Sequence, residues 1–544
     1  MQLQKNLRRL FLILLAVGLL ATAGAHFLSK YVEKKATEIL LSIPIKVSSV
    51  DANVLTRSIE LTDVDWTQAN DSLPQFPHHM LVKTVRLEGI KVYQLLKDKK
   101  LHIHKILFDG GEVQFNRNLK NNRSDREEKN LDLKEISIDR LVLKDVFTRV
   151  SADSVGQYDG IVNLTFENIA LNDVKHVRET GSYSVESFKA LITHLNVLGE
   201  KEMYTTSVAK IFANSADGEI EIDSVLLVPK YSKYQFSRKI GRQVDRMNLL
   251  IPKIAIHGFA FPQLKDSVFK TDLIEIKSAN LHIYKDKRLP FIKETNTPLP
   301  IAMIRGFKFD IAVDSIKLID ATITYEEFPE KGFHTGVLTF EKLNATIDHV
   351  SNRNHYPDHK QATLKATSYL MGKGLIKAEF SLPYGKAQVY NAKGSINNLA
   401  LYRLNPILEN LAFVSITSGR LNKLTFNFDY TDLKSTGNVL INYEDLKINS
   451  LTKEEDPEKN EIKTLVVNTL LKKNKDGNVD KEKRTGTIDF ERDRRRAIFH
   501  YWWRSVLTGI KSTVIDSPNK KEKDKDKDQA KDQDKEKKKK KDSN

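Results

Sequence analysis

Apolar and polar residues alternate through most of this chain, and the alternation slips at a recurring spacing. In Val313-Asp-Ser-Ile-Lys-Leu-Ile-Asp-Ala-Thr-Ile-Thr-Tyr325, Ile316 and Leu318 alternate with polar neighbours, two residues intervene, and Ala321, Ile323 and Tyr325 resume the alternation. Period two marks strands with one buried and one wet face. A two-residue hairpin places the positions flanking its turn opposite each other on one side. Apolar residues at i, i+2, i+5 and i+7 are therefore expected on one face of a hairpin. A single strand with a bulge at the gap would also shift the phase.

The spacing returns at Ile59, Leu61, Val64, Trp66; at Val85, Leu87, Ile90, Val92; and at Ile136, Ile138, Leu141, Leu143. It continues at Leu164, Phe166, Ile169, Leu171; at Ile220, Ile222, Val225, Leu227; and at Ile254, Ile256, Phe259, Phe261. Ile274, Ile276, Ala279, Leu281 and Leu338, Phe340, Leu343, Ala345 are further copies. Ile106, Phe108, Gly111, Val113 is a variant with Gly at one inward place. Glu88-Gly89, Asp109-Gly110 and His257-Gly258 carry turn chemistry in the gap. The expected fold is mainly β: a long curled antiparallel sheet of repeated hairpins, a groove or trough, with an N-terminal transmembrane helix and a few short helices.

Segments without the alternation divide the chain. Residues 1–9 carry Lys5, Arg8 and Arg9 and no acid, and Leu10–Leu28 is almost wholly apolar. As a helix that run would span roughly 28 Å, close to a bilayer's hydrocarbon thickness. Its basic flank predicts a cytoplasmic N-terminus and an exported body. Ala21-Thr-Ala23 and Ala23-Gly-Ala25 resemble cleavage sites, but the run exceeds a typical signal-peptide core, which favours an anchor over 10–28.

Residues 29–398 are expected as the exported hairpin region, opening with a short helix over Lys30–Leu41. Polar breaks fall at Asp71–His79, Asn116–Asn130 and Ser351–Lys360, and Tyr231–Arg246 reads as an insertion or short helix at the sheet margin. Residues 399–516 form a C-terminal region. Asn405-Pro406 there has the chemistry of a helix start, with Asn as cap and Pro at the first helical position. Over Arg492–Val514, Ile498, Trp502, Val506, Ile510 and Val514 step by four. Such a helix caps a sheet edge or lies on a membrane, with Trp502 and Trp503 at head-group depth and Arg495, Arg496 and Lys511 toward anionic lipid. Residues 517–544 alternate Lys and Asp and end in lysines, so a disordered tail is expected.

The apolar face constrains function. A large apolar side chain is worth roughly 1.5–3 kcal/mol when buried, so such a face cannot stay in water. Few stretches read as helices able to cover it. The sheet must then close on itself, pack in two layers, or shelter apolar ligands. Acyl chains suit a trough because they need contact area and no hydrogen bonds. The lining positions would include Ile106, Phe108, Val113, Ile274, Ile276, Leu281, Ile316, Leu318 and Ile323.

Composition adds less. Of 544 residues, 40% are hydrophobic and 29% charged, as in a folded protein with a wet exterior. A formal charge of +16 suits anionic partners, membrane head groups among them. Without cysteine there is no disulfide, thiol catalysis or cysteine-bound metal. No phosphate-cradling Gly loop, His-Glu-x-x-His helix or Gly-x-Ser-x-Gly elbow occurs. His102 and His104 share a strand face, yet they read as surface histidines, as do His78, His79, His349, His355 and His359. No cofactor, metal or covalent chemistry is expected. Nucleic-acid binding by Arg494–Arg496 and the tail is set aside because the body is expected to be exported.

One resemblance is specific to the C-terminal region. Asn405-Pro-Ile-Leu408, Ser418-Gly-Arg-Leu421, the strand with Gly437, and Tyr443-Glu-Asp-Leu-Lys-Ile448 are similar to the AsmA-like superfamily. Gly486-Thr-Ile-Asp-Phe-Glu-Arg-Asp493, Tyr501-Trp-Trp503 and Gly509-Ile-Lys511 resemble the ending of its shorter members. The repeats and the apolar N-terminal run match as well; the lysine-rich tail departs from the pattern. The resemblance implies an inner-membrane-anchored periplasmic β-groove protein linked to outer-membrane biogenesis, whose larger relatives conduct phospholipid between membranes. The expected partners are phospholipid or another acyl-chain lipid, the inner membrane and further envelope proteins. The other reading is a non-catalytic anchored scaffold.

Overall fold

A computed structural model describes residues 45–53, 55–67, 78–91, 97–116, 134–152, 156–172, 183–198, 203–292, 296–353, 356–385, 389–451 and 483–514, with residues 34 and 94. The expected anchor over 10–28, the 30–41 helix and the 517–544 tail lie outside these residues. Among the described residues no helix is long and apolar enough to cross a membrane.

The fold is mainly β, one long mixed sheet of 21 strands. The strands are β1 Ile45–Lys46, β2 Ser49–Asn53, β3 Ser58–Thr67, β4 His79–Glu88, β5 Lys100–Asn116, β6 Glu135–Ala152 and β7 Gly156–Asn172. They continue with β8 Tyr183–Leu198, β9 Tyr204–Asn214, β10 Glu219–Pro229, β11 Asp245–His257, β12 Val268–Lys277, β13 Asn280–Asp286 and β14 Asp310–Phe328. The rest are β15 Gly336–Ser351, β16 Gln361–Leu370, β17 Gly374–Pro383, β18 Tyr390–Ala400, β19 Val414–Tyr430, β20 Lys434–Ser450 and β21 Lys483–Glu491. Most neighbours pair antiparallel, but β5 runs parallel to β6 and β13 to β14, so the sheet is mixed rather than antiparallel throughout. Parallel neighbours need a crossover of a dozen or more residues. The polar break after Asn116 and the interval 287–309 supply chain of that length.

The hairpin reading of the repeat is overturned. Residues 313–325 lie within one strand, β14, and β3, β5, β7, β10 and β15 likewise run straight through their copies. Nine of the copies instead place the second gap residue in the left-handed region: Asp63, Gly89, Gly110, Asn168, Ser224, Gly258, Ser278, Asp320 and Lys342. In 136–143 the gap is regular, and the left-handed residue of β6 is Asp145. One such residue turns the following pleat over, so i+5 returns to the face of i+2. β3 shows the outcome: Ile59, Leu61, Val64 and Trp66 are all buried. The slipped amide needs an acceptor outside the ladder. Asp320 N–H donates to Asn344 Oδ1 at 3.1 Å, and Asp145 N–H to Asn163 Oδ1 at 2.9 Å.

Contacts divide the chain into two compact units. The first holds residues 1–231, 248–264 and 271–274, the second 232–247, 265–270 and 275–544. The boundary expected after residue 398 falls inside β18. In the first unit the closed core is made by β2–β5 and the turn residue Ile90. In the second it gathers Leu338, Phe380, Leu399, Leu424, Phe428, Tyr430 and Ile488 with residues from two helices.

Among the described residues, α1 Lys233–Ile240, α2 Pro300–Arg305, α3 Asn405–Leu411 and α4 Ile498–Val514 include those two helices. α1 is the helix expected in the 231–246 insertion, closed by Gly241 at φ 78°. α3 begins where Asn405-Pro406 indicated, but Asn405 is not its cap. Its side chain clasps β19, accepting from Ile416 N–H at 2.9 Å and donating to Ile416 O at 3.0 Å. α4 covers the last strand. Thr487 N–H, on β21, donates to Ser512 Oγ at 2.8 Å, so the helix supplies an acceptor that no further strand provides. The crossing is close because it is made of glycines: a Cβ on Gly486 would collide with Gly509 O, and one on Gly509 with Val439 and Ile488.

Two outcomes follow. Asp320→Gly removes the left-handed strain, whereas Asp320→Val adds to it; thermal melts should show the first neutral or stabilising by about 1 kcal/mol and the second destabilising by about 1–2 kcal/mol. Gly509→Val should lift α4 from β21 at a cost of roughly 1–3 kcal/mol and open the 491–498 junction to protease. A variant that melts and resists cleavage like the parent would refute this packing.

Candidate functional site

Directly paired residues of neighbouring strands face the same side of a sheet, so register turns a strand pattern into rows running across strands. In the first unit one row is Leu61, Val85, Phe108, Leu143, Leu164, Ala190, Ala213, Ile220 and Ile256. Beside it run Val64, Val82, Gly111, Val146, Val162, Ile192, Ile211, Ile222 and Ile254. Both rows are buried at β3 and β4, and most of their members from β6 to β10 are only half-buried. Gly111, at φ 122°, sits where a Cβ would strike the Leu81 carbonyl, so no side chain fits at that inward place.

The second unit has its own pair of rows. Ile316, Ile347, Leu364, Phe380, Ala392, Phe428, Gly437 and Ile488 form one. The other is Leu318, Ala345, Ala366, Ala378, Gly394, Phe426, Val439 and Gly486. Four consecutive members of the second row are small, and they line a furrow of about 530 Å³ together with the polar residues on either side of them. At ~4.8 Å per strand it runs roughly 19 Å across β14–β18. Lys317, Thr346, Lys365, Glu379 and Lys393 line it in one adjoining row, Asn344, Thr367, Lys377 and Ser395 in the other. Phe426 closes one end, its ring occupying the place a Gly394 side chain would take. Such a furrow combines apolar contact at its small residues and lysine stems with polar groups along its length.

The nine predicted lining positions are distributed over both units. Ile106, Phe108 and Val113 lie on β5, Ile274 and Ile276 on β12, Leu281 on β13, and Ile316, Leu318 and Ile323 on β14. Val113 is buried and the other eight are half-buried. Register pairs Leu281 with Ile323, and of the nine only Leu318 lines the furrow. The furrow's small floor escaped the sequence reading. Its signal was the repeated cation–small pair Lys365-Ala366, Lys377-Ala378, Lys393-Gly394, with lysine on the wet face and the small residue opposite.

The C-terminal helix follows the edge-capping reading. Tyr501, Ser505, Val506 and Thr513 are buried, and Trp502 lies 4.1 Å, centroid to centroid, from Phe380. Trp502 is thus engaged with the sheet and half-buried. Trp503 is half-buried and Lys511 exposed. Arg495 and Arg496 both pair with Asp493 and both lie over the Phe291 ring. Arg492, its side chain fully enclosed, pairs with Asp432 and donates to Thr297 O at 2.6 Å.

Polar clusters elsewhere are internally satisfied. His102 and His104 both meet Asp139, at 3.1 and 3.0 Å, and His102 also meets Ser137. Burial works against the charge on Asp139, but these histidines hold its carboxyl below the usual range. Among the described residues no group of three or more His, Asp or Glu side chains is arranged to hold a metal ion. Glu326 takes Lys233 at 2.5 Å and His282 at 2.9 Å; burial raises its pKa, and these partners more than offset it. Comparison with protein-family models and with curated proteins finds no match to this chain.

His500 on α4 yields a pH dependence. Burial, with Arg496, Arg504, Lys287 and Lys285 around it, pushes the imidazole down to about 4. The unfolded chain then binds a proton that the fold excludes, so this contribution to stability is present above pH ~6.5 and is lost as pH falls toward 4. Melting temperature against pH should be flatter over that window in His500→Gln than in the parent. Parallel curves would refute the burial of a neutral imidazole.

Proposed function

We propose that this is a membrane-anchored envelope protein that holds phospholipid, or moves it along an apolar β-groove, in support of outer-membrane biogenesis, without covalent chemistry. The observation that carries the proposal is the state of the apolar face. Cross-strand rows run through many consecutive strands and stay half-open over much of their length, and a furrow runs along the small residues Ala345, Ala366, Ala378 and Gly394. Its volume falls within the roughly 300–1,000 Å³ common for small-ligand sites, and its elongated outline suits an acyl chain. The apolar run at 10–28 supports anchoring in the inner membrane with the body in the periplasm, and the half-open face supports a sheet curled into a trough.

A non-catalytic scaffold is the second reading. The two closed cores favour it, because each gives a unit a packed interior without any ligand. Lipid content separates the two. Full-length protein, gently extracted and analysed by mass spectrometry, should carry phospholipid, and Ala378→Trp, which fills the furrow floor, should reduce the bound lipid severalfold while circular dichroism and the melt stay near those of the parent. Leu318→Asp should act in the same direction. Parent protein free of lipid, or lipid unchanged in a folded Ala378→Trp variant, would leave the scaffold reading.

A further inference from the structure

In the second unit, β14, β16, β18 and β20 begin, and β15, β17, β19 and β21 end, at the same edge of the strands. Antiparallel topology thus gathers residues 306–309, 352–353, 356–360, 384–385, 389 and 431–433 along one rim. Their apolar side chains are unusually open. Met303 is 53% exposed, Phe307 48%, Phe309 41%, Val389 57% and Leu433 66%. Phe307 and Phe309 lie 5.3 Å apart, centroid to centroid, at the mouth of β14. They are held outward rather than left loose: Phe309 O accepts from Asn352 Nδ2 at 2.8 Å, and Arg305 Nη2 donates to Gly385 O at 3.0 Å.

Charge on this rim is mainly of one sign. Arg305, Lys308, Lys360 and Lys434 stand among the apolar residues. Of the acids at this edge, Asp310, Asp432 and Asp493 are each paired with an arginine, at 2.8 Å for Arg353–Asp310, 2.7 Å for Arg494–Asp432 and 2.9 Å for Arg495–Asp493, and Asp358 is exposed beside Lys360. Aromatic and aliphatic tips interleaved with cations match the boundary of a bilayer, where apolar groups enter the acyl margin and cations meet phosphate. A protein partner would call for a more continuous, flatter apolar patch with fewer cations at its centre.

We infer that this rim docks on the surface of an anionic lipid bilayer, with Met303, Phe307, Phe309, Val389 and Leu433 entering the head-group region. The inference does not require the furrow to hold lipid, and it assigns the contact to the α2–β14 junction and neighbouring turns rather than to the tryptophans of α4.

The cysteine-free chain allows the contact to be located. Single substitutions Phe307→Cys and Leu433→Cys, and Phe333→Cys at the opposite strand end, are made in full-length protein and labelled with an environment-sensitive fluorophore. The protein is held in phosphatidylcholine nanodiscs and mixed with vesicles of phosphatidylcholine, with or without about one third phosphatidylglycerol. Label position is the readout because the lysine-rich tail attracts anionic vesicles by itself. The labels at 307 and 433 should shift to the blue and be quenched by nitroxide lipid in anionic vesicles, and the label at 333 should not. Lys308→Gln should weaken the effect at 307 roughly fivefold, and salt should weaken it further. Equal responses at all three positions, or none at 307 and 433, would overturn the assignment, whatever the protein's lipid content.

Discussion

The structure depends on a conflict of period. A strand repeats every two residues, whereas the apolar residues of this chain recur at intervals of two, three and two. An unbroken strand would send each second pair to the wet face. The left-handed residue at the slip resolves the conflict by turning the pleat over within the strand. Asp320 and Lys342 do so at facing places on β14 and β15, and the register slips by one and then recovers. Because the slip is compensated between neighbours, the rows on either side stay continuous.

Continuity of the rows explains where the molecule closes and where it stays open. Large side chains meet in the closed cores, as Ile59, Leu61 and Leu87 do in the first unit and Tyr430, Phe428 and Leu424 in the second. Where a row carries alanine and glycine instead, facing side chains do not meet and a furrow remains. The opposite face is knitted by ion pairs between strands, such as Lys393–Glu379 at 3.2 Å, Lys210–Asp223 at 3.2 Å and Lys253–Glu221 at 3.3 Å. Exposed pairs of this kind add little stability each. They keep lysine-rich strands soluble and in register while the apolar side carries the packing.

Much of this was legible from spacing alone. The β class, the common face of each apolar set, the α1 insertion, the start of α3 and the capping role of α4 all follow from periodicity and local chemistry. The hairpins did not, because the same spacing serves a turn and a slipped strand. Only the neighbouring strand distinguishes them, as when Asn344 receives the Asp320 amide. The parallel pairs were hidden for a similar reason, since strand direction depends on how long connections are routed. The furrow was obscured because single alanines are unremarkable until register sets four small residues side by side. Asn405 misled as a cap because its amide found β19, a partner distant from the helix start.

The strain itself bears on purpose. A non-glycine residue in the left-handed region costs roughly 1–2 kcal/mol, and Asp63, Ser224, Ser278, Asp320 and Lys342 all accept it. Simple alternation would have given strands of the same length and hydrogen bonding without that cost. The kinks yield something alternation cannot: twisted strands that keep every apolar set on one side while the rows are deflected along the sheet. In a fully dry interior, bulky residues would fill the space so created, as Tyr430 and Trp66 fill theirs. At Ala345, Ala366, Ala378 and Gly394 the row stays small instead. Strain accepted to line up a face, together with a run of small residues across four strands, sets this stretch apart from the closed cores.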